Sequence, residues 1–196
     1  DLSEICQNHN ISWTYAPNIN SEETIKWLAD KNPDVIFCFG WSKLLGQKVL
    51  NLARRGVIGF HPAALPANRG RHPLIWALVL GLKETASTFF YMDDGGDILS
   101  QQKIEILDED DATTLYEKVT ACALAQLQIF VSQLNSGLVP RTAQDCKHSN
   151  SWRKRCEADG KIDWRMSARS IHNLVRGLAK PYVGAHIVIK KNNYVV

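Results

Sequence analysis

Residues 56–73 constrain this chain more than any other stretch. The apolar run Val57-Ile-Gly-Phe60 ends in His61, and a loop broken by Pro62, Pro66, Gly70 and Pro73 follows, carrying Asn68, Arg69, Arg71 and His72. A buried strand that delivers a histidine to its C-terminal edge, with cationic donors just beyond, is how an open α/β sheet builds a site. Upstream, Val35-Ile-Phe-Cys-Phe39 lacks polar alternation, as expected of a parallel strand buried on both faces. Helical patterns at residues 21–30, opened by Ser21 as N-cap, and at 47–53, closed by Gly56, lie before and after that run. The order predicts an α/β fold with a mostly parallel sheet.

Further elements extend the pattern. Ser12–Tyr15 and residues 87–92 read as strands, 74–80 as a short buried helix, and 98–106 as a strand with one wet face. Asp110 or Asp111 caps a helix running to about Leu134, with Leu115, Val119, Cys122, Leu127, Phe130 and Leu134 on its core side and Gly137 at its end. Residues 144–160 are polar and include Arg153-Lys-Arg155. They read either as a solvated linker or as a contact for substrate phosphate. Ser167 caps a helix bearing Ile171, Leu174, Val175 and Leu178, and a β-hairpin turning at Asn192-Asn193 closes the chain. Residues 1–140 are thus expected to form the α/β domain and 141–196 a linker, helix and hairpin. Because the chain opens on a polar helical segment and stops in a strand pattern, a first strand and a short tail are expected beyond it.

Composition excludes several classes. With 45% hydrophobic and 22% charged residues the chain suits a soluble globular domain, and no stretch reaches transmembrane length. A net charge of +3 does not point to nucleic acid but leaves room for a small anionic substrate. Five cysteines without a Cys-x-x-Cys pair predict a reduced, cytoplasmic protein, and no metal-binding pattern is present.

The loop after His61 carries a family likeness. Gly59-Phe-His61, Ala63-Ala-Leu-Pro66 and Arg69-Gly70 resemble the signature of the folate-dependent formyltransferases, in which Asn-x-His precedes a small residue, Leu, Leu, Pro and then Arg-Gly. The likeness continues through Pro73–Leu82, Glu84-Thr-Ala-Ser-Thr88, Met92-Asp93, Gly96-Asp-Ile-Leu99, Ile162-Asp-Trp164, Ile171-His-Asn-Leu-Val-Arg176 and Pro181-Tyr-Val-Gly-Ala185. It implies a Rossmann-like formyltransferase domain with a mostly parallel sheet, followed by a short helix and β-hairpin. It also implies N10-formyltetrahydrofolate as cosubstrate, with no metal. The segment Phe39-Gly40-Trp41 through Leu45 stands at the family's pterin-slot position. No Gly-x-Gly-x-x-Gly follows a strand, which disfavours a dinucleotide.

Transfer of a formyl group to an amine needs proton removal from the attacking nitrogen and hydrogen bonds to a tetrahedral oxyanion. His61 matches the family histidine. The family asparagine is replaced by Gly59, so Asn68, His72 or a backbone amide has to supply its hydrogen bond. The acidic loop, residues 92–99, is about three residues shorter than the family pattern, leaving Asp97 as the first candidate for the family aspartate and Asp94, also a cofactor contact, as the second. Arg69 and Arg71 can grip a phosphate in fork geometry, beside His72.

Three functions compete. Only 11 residues follow Ala185, too few for the oligonucleotide-binding barrel of the initiator-tRNA enzymes, so the chain looks most like the sugar N-formyltransferases that modify nucleotide-linked amino sugars for surface polysaccharides. Those members are often dimers, which makes a homodimer the expected assembly, with neither nucleic acid nor membrane as partner. The alternatives are a methionyl-tRNA formyltransferase and a non-catalytic relative that binds folate or a sugar nucleotide.

Overall fold

The computed structural model describes residues 2–41, 43–138, 140–189 and 192–196. The chain divides into two compact units, residues 1–57 and 58–196. The first unit holds α1 (Ser3–Asn8), α2 (Glu22–Ala29), β1 (Ile36–Cys38) and α3 (Gln47–Leu50). Ser21 caps α2 as expected, its hydroxyl accepting the Thr24 N–H at 3.3 Å. Asn20 pins the turn before α3, donating to the Leu44 carbonyl at 3.0 Å and accepting the Gly46 N–H at 2.6 Å. Two expectations fail here. Ser12–Tyr15 forms no strand, and Trp13 and Tyr15 instead meet edge to face at 5.1 Å. β1 is not buried on both faces, because Phe37 and Phe39, two apart and therefore on one side, stack on each other at 5.5 Å and remain 41% and 44% exposed.

β2 (Val57–His61) carries the chain into the second unit, where β3 (Arg69–Gly70), α4 (Pro73–Val79), β4 (Glu84–Tyr91), β5 (Ile98–Glu105), α5 (Ala112–Ser136), β6 (Ser151–Trp152), α6 (Ala168–Gly177), β7 (His186–Ile189) and β8 (Asn192–Val195) follow. The mixed α/β class and the terminal hairpin stand as read from the sequence. The parallel arrangement does not extend to the strands around His61. β4 runs antiparallel to β2, pairing Ile58 with Tyr91 and His61 with Thr88, and antiparallel to β5, from Glu84 opposite Glu105 to Phe90 opposite Ile98. The six-residue loop between β4 and β5 decides this, since a parallel return needs a crossover of a dozen or more residues. The hairpin register also differs: Asn192 and Asn193 are strand residues opposite Ile189 and Val188, and residues 190–191 lie outside the described residues.

α4 lies between two clusters of the core. One joins Leu74, Ala77 and Leu78 to Ile104 and Ile106 near β5 and to Leu115 and Val119 of α5. The other joins Ile75 to Ile162, Leu174, Leu178 and Ala185. Each fully buried aliphatic side chain contributes about 1.5–3 kcal/mol. Asp111 caps α5 by accepting the Thr114 N–H at 2.9 Å, and Gly137 ends it in the left-handed conformation, φ 81°. Gln126, on the buried side of α5, donates to the Ser100 hydroxyl at 2.8 Å and the Ser87 carbonyl at 3.3 Å, tying the helix to the strands beneath it.

A buried arginine fastens α6 to the start of α5. Arg176 is 8% exposed and donates to Asn173 Oδ1 and to the Leu107 and Asp110 carbonyls, each at 2.9 Å. Asp110, also buried, accepts the Leu107 N–H at 2.7 Å and pairs with Lys118 at 2.5 Å. Burial opposes its charge, but Lys118, the Leu107 amide and the Thr114 hydroxyl outweigh that and hold its carboxyl below the usual range. A depressed carboxylate stabilises the fold above its unfolded pKa, about 3.9, and that contribution disappears as pH falls through the folded value. Arg176→Ala is expected to cost about 2–4 kcal/mol, measured as a lower urea midpoint at unchanged m-value. An equal midpoint for variant and wild type excludes this role.

Candidate functional site

The site begins where β2 ends. His61 Nε2 lies 2.9 Å from the Asn68 carbonyl. A carbonyl only accepts, so Nε2 carries the proton and Nδ1 keeps its lone pair in the neutral ring. Burial pushes the His61 pKa down, and the Asn68 carbonyl opposes this only in part, so the imidazole is neutral at pH 7. A neutral histidine with a free Nδ1 is a proton acceptor.

The loop from Pro62 to His72 is held over its whole length. Thr88 donates a buried hydroxyl to the Ala63 carbonyl at 2.7 Å, Thr85 donates to the Pro62 carbonyl at 3.3 Å, and Gln101 donates to the Leu65 carbonyl at 2.9 Å. Asn68 takes the left-handed conformation, φ 62°, a region asparagine tolerates better than most residues. Asn150 accepts the Asn68 N–H on its side chain and the Arg69 N–H, at 3.1 Å, on its backbone carbonyl. From there β3 pairs in parallel with β6, and the Arg71 N–H donates to the Trp152 carbonyl at 3.0 Å. Gln144, Asn150 and Trp152 therefore strap the histidine loop, while residues 145–151 are exposed as the solvated reading expected.

The acidic loop faces this strap. Arg141 pairs with Asp93 at 2.9 Å and Asp97 at 3.4 Å, and its guanidinium lies over the Tyr91 ring at 3.6 Å. The desolvation that raises the Asp93 pKa is outweighed by Arg141 and the Gly96 N–H, which hold it below the usual carboxylate range. Gln144 bridges the two loops: its carbonyl accepts from Arg69 Nη2 at 2.6 Å and its amide donates to the Gly96 carbonyl. Between the loops lies a cavity of about 470 Å³ lined by His61, Arg69, Tyr91, Asp94, Gly96 and Gln144, within the range of small-molecule sites.

Of the residues singled out in the sequence, His61, Arg69 and Asp94 share this cavity. Asn68 meets His61 through its backbone oxygen. The Asp97 carboxylate is turned to Arg141, whereas Asp94 makes no ion pair among the described residues. Arg71 is exposed, and His72 accepts the Arg155 N–H on Nδ1 at 3.2 Å. Phe39, Gly40, Trp41 and Leu45 belong to the first unit, where Trp41 is 40% exposed and Gly40, at φ 64°, has no atom within 4 Å of where a Cβ would lie. At Gly59 a Cβ would come within 3.0 Å of Met92 Sδ and Phe90 Cε1. Sequence reading missed Gln144, Asn150 and Arg141, polar residues in an aperiodic stretch whose partners lie 44–82 residues away.

Comparison with known proteins agrees with this architecture. The formyl transferase family matches residues 3–131, and the formyl transferase C-terminal domain matches residues 156–196. The chain belongs to the formyl transferase family and is a formyl-transferring enzyme. Its fold is similar to that of a 4-N formyltransferase from Francisella tularensis, with a TM-score of 0.81 at 19% identity over 100% of this chain and 80% of that one. WlaRD, a sugar 3N-formyl transferase whose structure was determined in the presence of dTDP and 5-N-formyl-THF, gives 0.77 at 17% identity over 100% and 68%. Methionyl-tRNA formyltransferase from Clostridium thermocellum gives 0.72 at 18% identity over 97% and 83%.

Two outcomes test the site. Because burial lowers the His61 pKa, a base role predicts that kcat/KM rises with pH through a midpoint below the ordinary histidine value of about 6.5 and stays flat through neutrality. A limb centred above that value excludes it. Gln144→Leu strands Arg69 and the Gly96 carbonyl and is expected to lower kcat/KM roughly tenfold with the melting temperature little changed. Unaltered kinetics in that variant remove the bridge from the site.

Proposed function

We propose that the enzyme moves the formyl group of N10-formyltetrahydrofolate to the amine of a nucleotide-linked amino sugar, with His61 as the base and Asp94 as the carboxylate that meets the amine. One observation carries the chemistry: a neutral His61, Arg69 and the Asp94 carboxylate, which has no ion pair among the described residues, line the same cavity.

The residues expected to hold the pterin suit a flat ring. Phe39 and Trp41 offer half-exposed aromatic surface, and the open Gly40 turn leaves backbone groups within reach of a ring edge. When bound, the folate supplies the activated formyl carbon. His61 Nδ1 accepts the proton that the amine loses on bonding to that carbon and would pass it to the folate nitrogen released as its own bond to the carbon breaks, while Nε2–H stays on the Asn68 carbonyl and keeps the ring in place. Asp94 orients the attacking amine. Arg69, steadied by Gln144, holds a cationic donor beside the reacting oxygen. Asp97 keeps the acidic loop in shape through Arg141 and does not itself reach substrate.

A sugar acceptor is favoured over tRNA by the mild net charge of +3 and by the likeness to WlaRD, whose structure was determined in the presence of dTDP. Five unpaired cysteines suit a reducing cytoplasm. The test is tetrahydrofolate release from N10-formyltetrahydrofolate in the presence of dTDP-, UDP- or GDP-linked amino sugars, or of methionyl-tRNA. Turnover with one nucleotide-linked amino sugar is expected, abolished in His61→Ala and lowered about 100-fold in Asp94→Asn, with a smaller loss in Asp97→Asn. Turnover with charged tRNA alone overturns the acceptor reading, and a larger loss in Asp97→Asn than in Asp94→Asn reverses the two carboxylates.

A further inference from the structure

His61 owes the place of its proton to one peptide unit. The Asn68 carbonyl, 2.9 Å from Nε2, and the Arg69 N–H belong to the same peptide, which is trans. In a trans unit the carbonyl and the N–H point to opposite sides. Whatever holds the Arg69 N–H therefore aims the Asn68 carbonyl. The holder is the backbone carbonyl of Asn150, at 3.1 Å. Its side-chain oxygen also accepts the Asn68 N–H, so one residue grips both peptide units that flank the Asn68 Cα.

The strands themselves leave this turn less determined. β3 and β6 pair over two residues, Arg69 with Ser151 and Gly70 with Trp152, and Asn68 lies before that ladder begins. The two segments run so close that a Cβ on Gly70 would collide with the Trp152 carbonyl. Asn68 itself stands at φ 62°, in the left-handed region that costs most L residues about 1–2 kcal/mol. A turn held there by outside contacts can flip its peptide once they are removed, as type I and type II turns differ by such a flip. Asn150 is exposed and belongs to neither core cluster, so packing gives no reason for an amide at this position.

We propose that Asn150 is a positioning residue for formyl transfer: its side chain, acting through the Asn68–Arg69 peptide, keeps the His61 proton on Nε2 and leaves Nδ1 as the base. The assignment rests on the reading of His61 as the base and adds the residue that orients it. With the Asn68 carbonyl turned away, Nε2–H loses its acceptor and both neutral tautomers of the ring become populated. Only the Nε2–H form presents a lone pair at Nδ1.

The test reads the tautomer by nitrogen-15 NMR of the full chain carrying labelled histidine, without substrate, with His61→Ala assigning the signal. It is joined to kcat and KM for N10-formyltetrahydrofolate with the acceptor that the wild type formylates, and thermal melting shows that each variant is folded. The wild type is expected to show Nε2–H alone. Asn150→Leu and the smaller Asn150→Ala are expected to show both tautomers, with kcat lowered roughly five- to tenfold and KM little changed. Asn150→Asp, whose carboxylate still accepts the Asn68 N–H, is expected to keep one tautomer and most of the wild-type kcat. If Asn150→Leu and Asn150→Ala hold His61 wholly in the Nε2–H form, this inference falls alone. If they mix the tautomers while kcat stays at the wild-type value, the reading of His61 as the base falls, and the positioning role falls with it.

Discussion

The buried hydroxyl of Thr88, opposite His61 in the antiparallel β2–β4 ladder, donates to the Ala63 carbonyl at 2.7 Å. This contact joins the sheet to the loop that makes the site. A loop leaving a buried strand carries backbone carbonyls that have to be satisfied away from water. Thr85, Thr88 and Gln101 satisfy them from the neighbouring strands, so the loop turns where those side chains stand. The turn puts the Asn68 carbonyl against His61 Nε2, and that contact sets which ring nitrogen is left to accept a proton. Register, loop path and tautomer thus follow from one pairing of strands.

The site also separates its charges. Asp93 and Asp97 share Arg141, which lies over the Tyr91 ring, while Asp94, between them in sequence, has no ion pair among the described residues and lines the same cavity as His61. Without Arg141, three carboxylates within five residues would repel one another; with it, two become structure and one stays available. Gln144 then links this loop to Arg69, so the cationic and acidic sides of the cavity are held by one amide side chain.

Much of the fold was legible because it rests on local signals. Ser21 and Ser167 cap the helices they were expected to cap, Asp111 rather than Asp110 caps α5, and Gly137 ends it. The periodicity of Leu115, Val119, Phe130 and Leu134 marks the buried side of α5. Gln126 on that same side was not legible, since its partners Ser87 and Ser100 come from two strands. Ser12–Tyr15 misled because an alternating pattern makes a strand only where a neighbour offers a ladder. Residues 144–152 are polar, aperiodic and largely exposed, and nothing in that pattern marks Asn150 and Gln144 as the side chains whose contacts fix the histidine loop.

By itself the sequence determined the α/β class, the family and His61 as the reactive candidate, because strand periodicity, helix caps and the His-Pro to Arg-Gly loop are written in neighbouring residues. The tertiary structure decided which carboxylate has no ion pair among the described residues, which histidine nitrogen carries the proton and which side chains press on Gly59. Those depend on Arg141, Asn68 and Met92 arriving from other elements. A charge or a tautomer is set by what lies within a few ångströms in space, and spacing along the chain does not encode that.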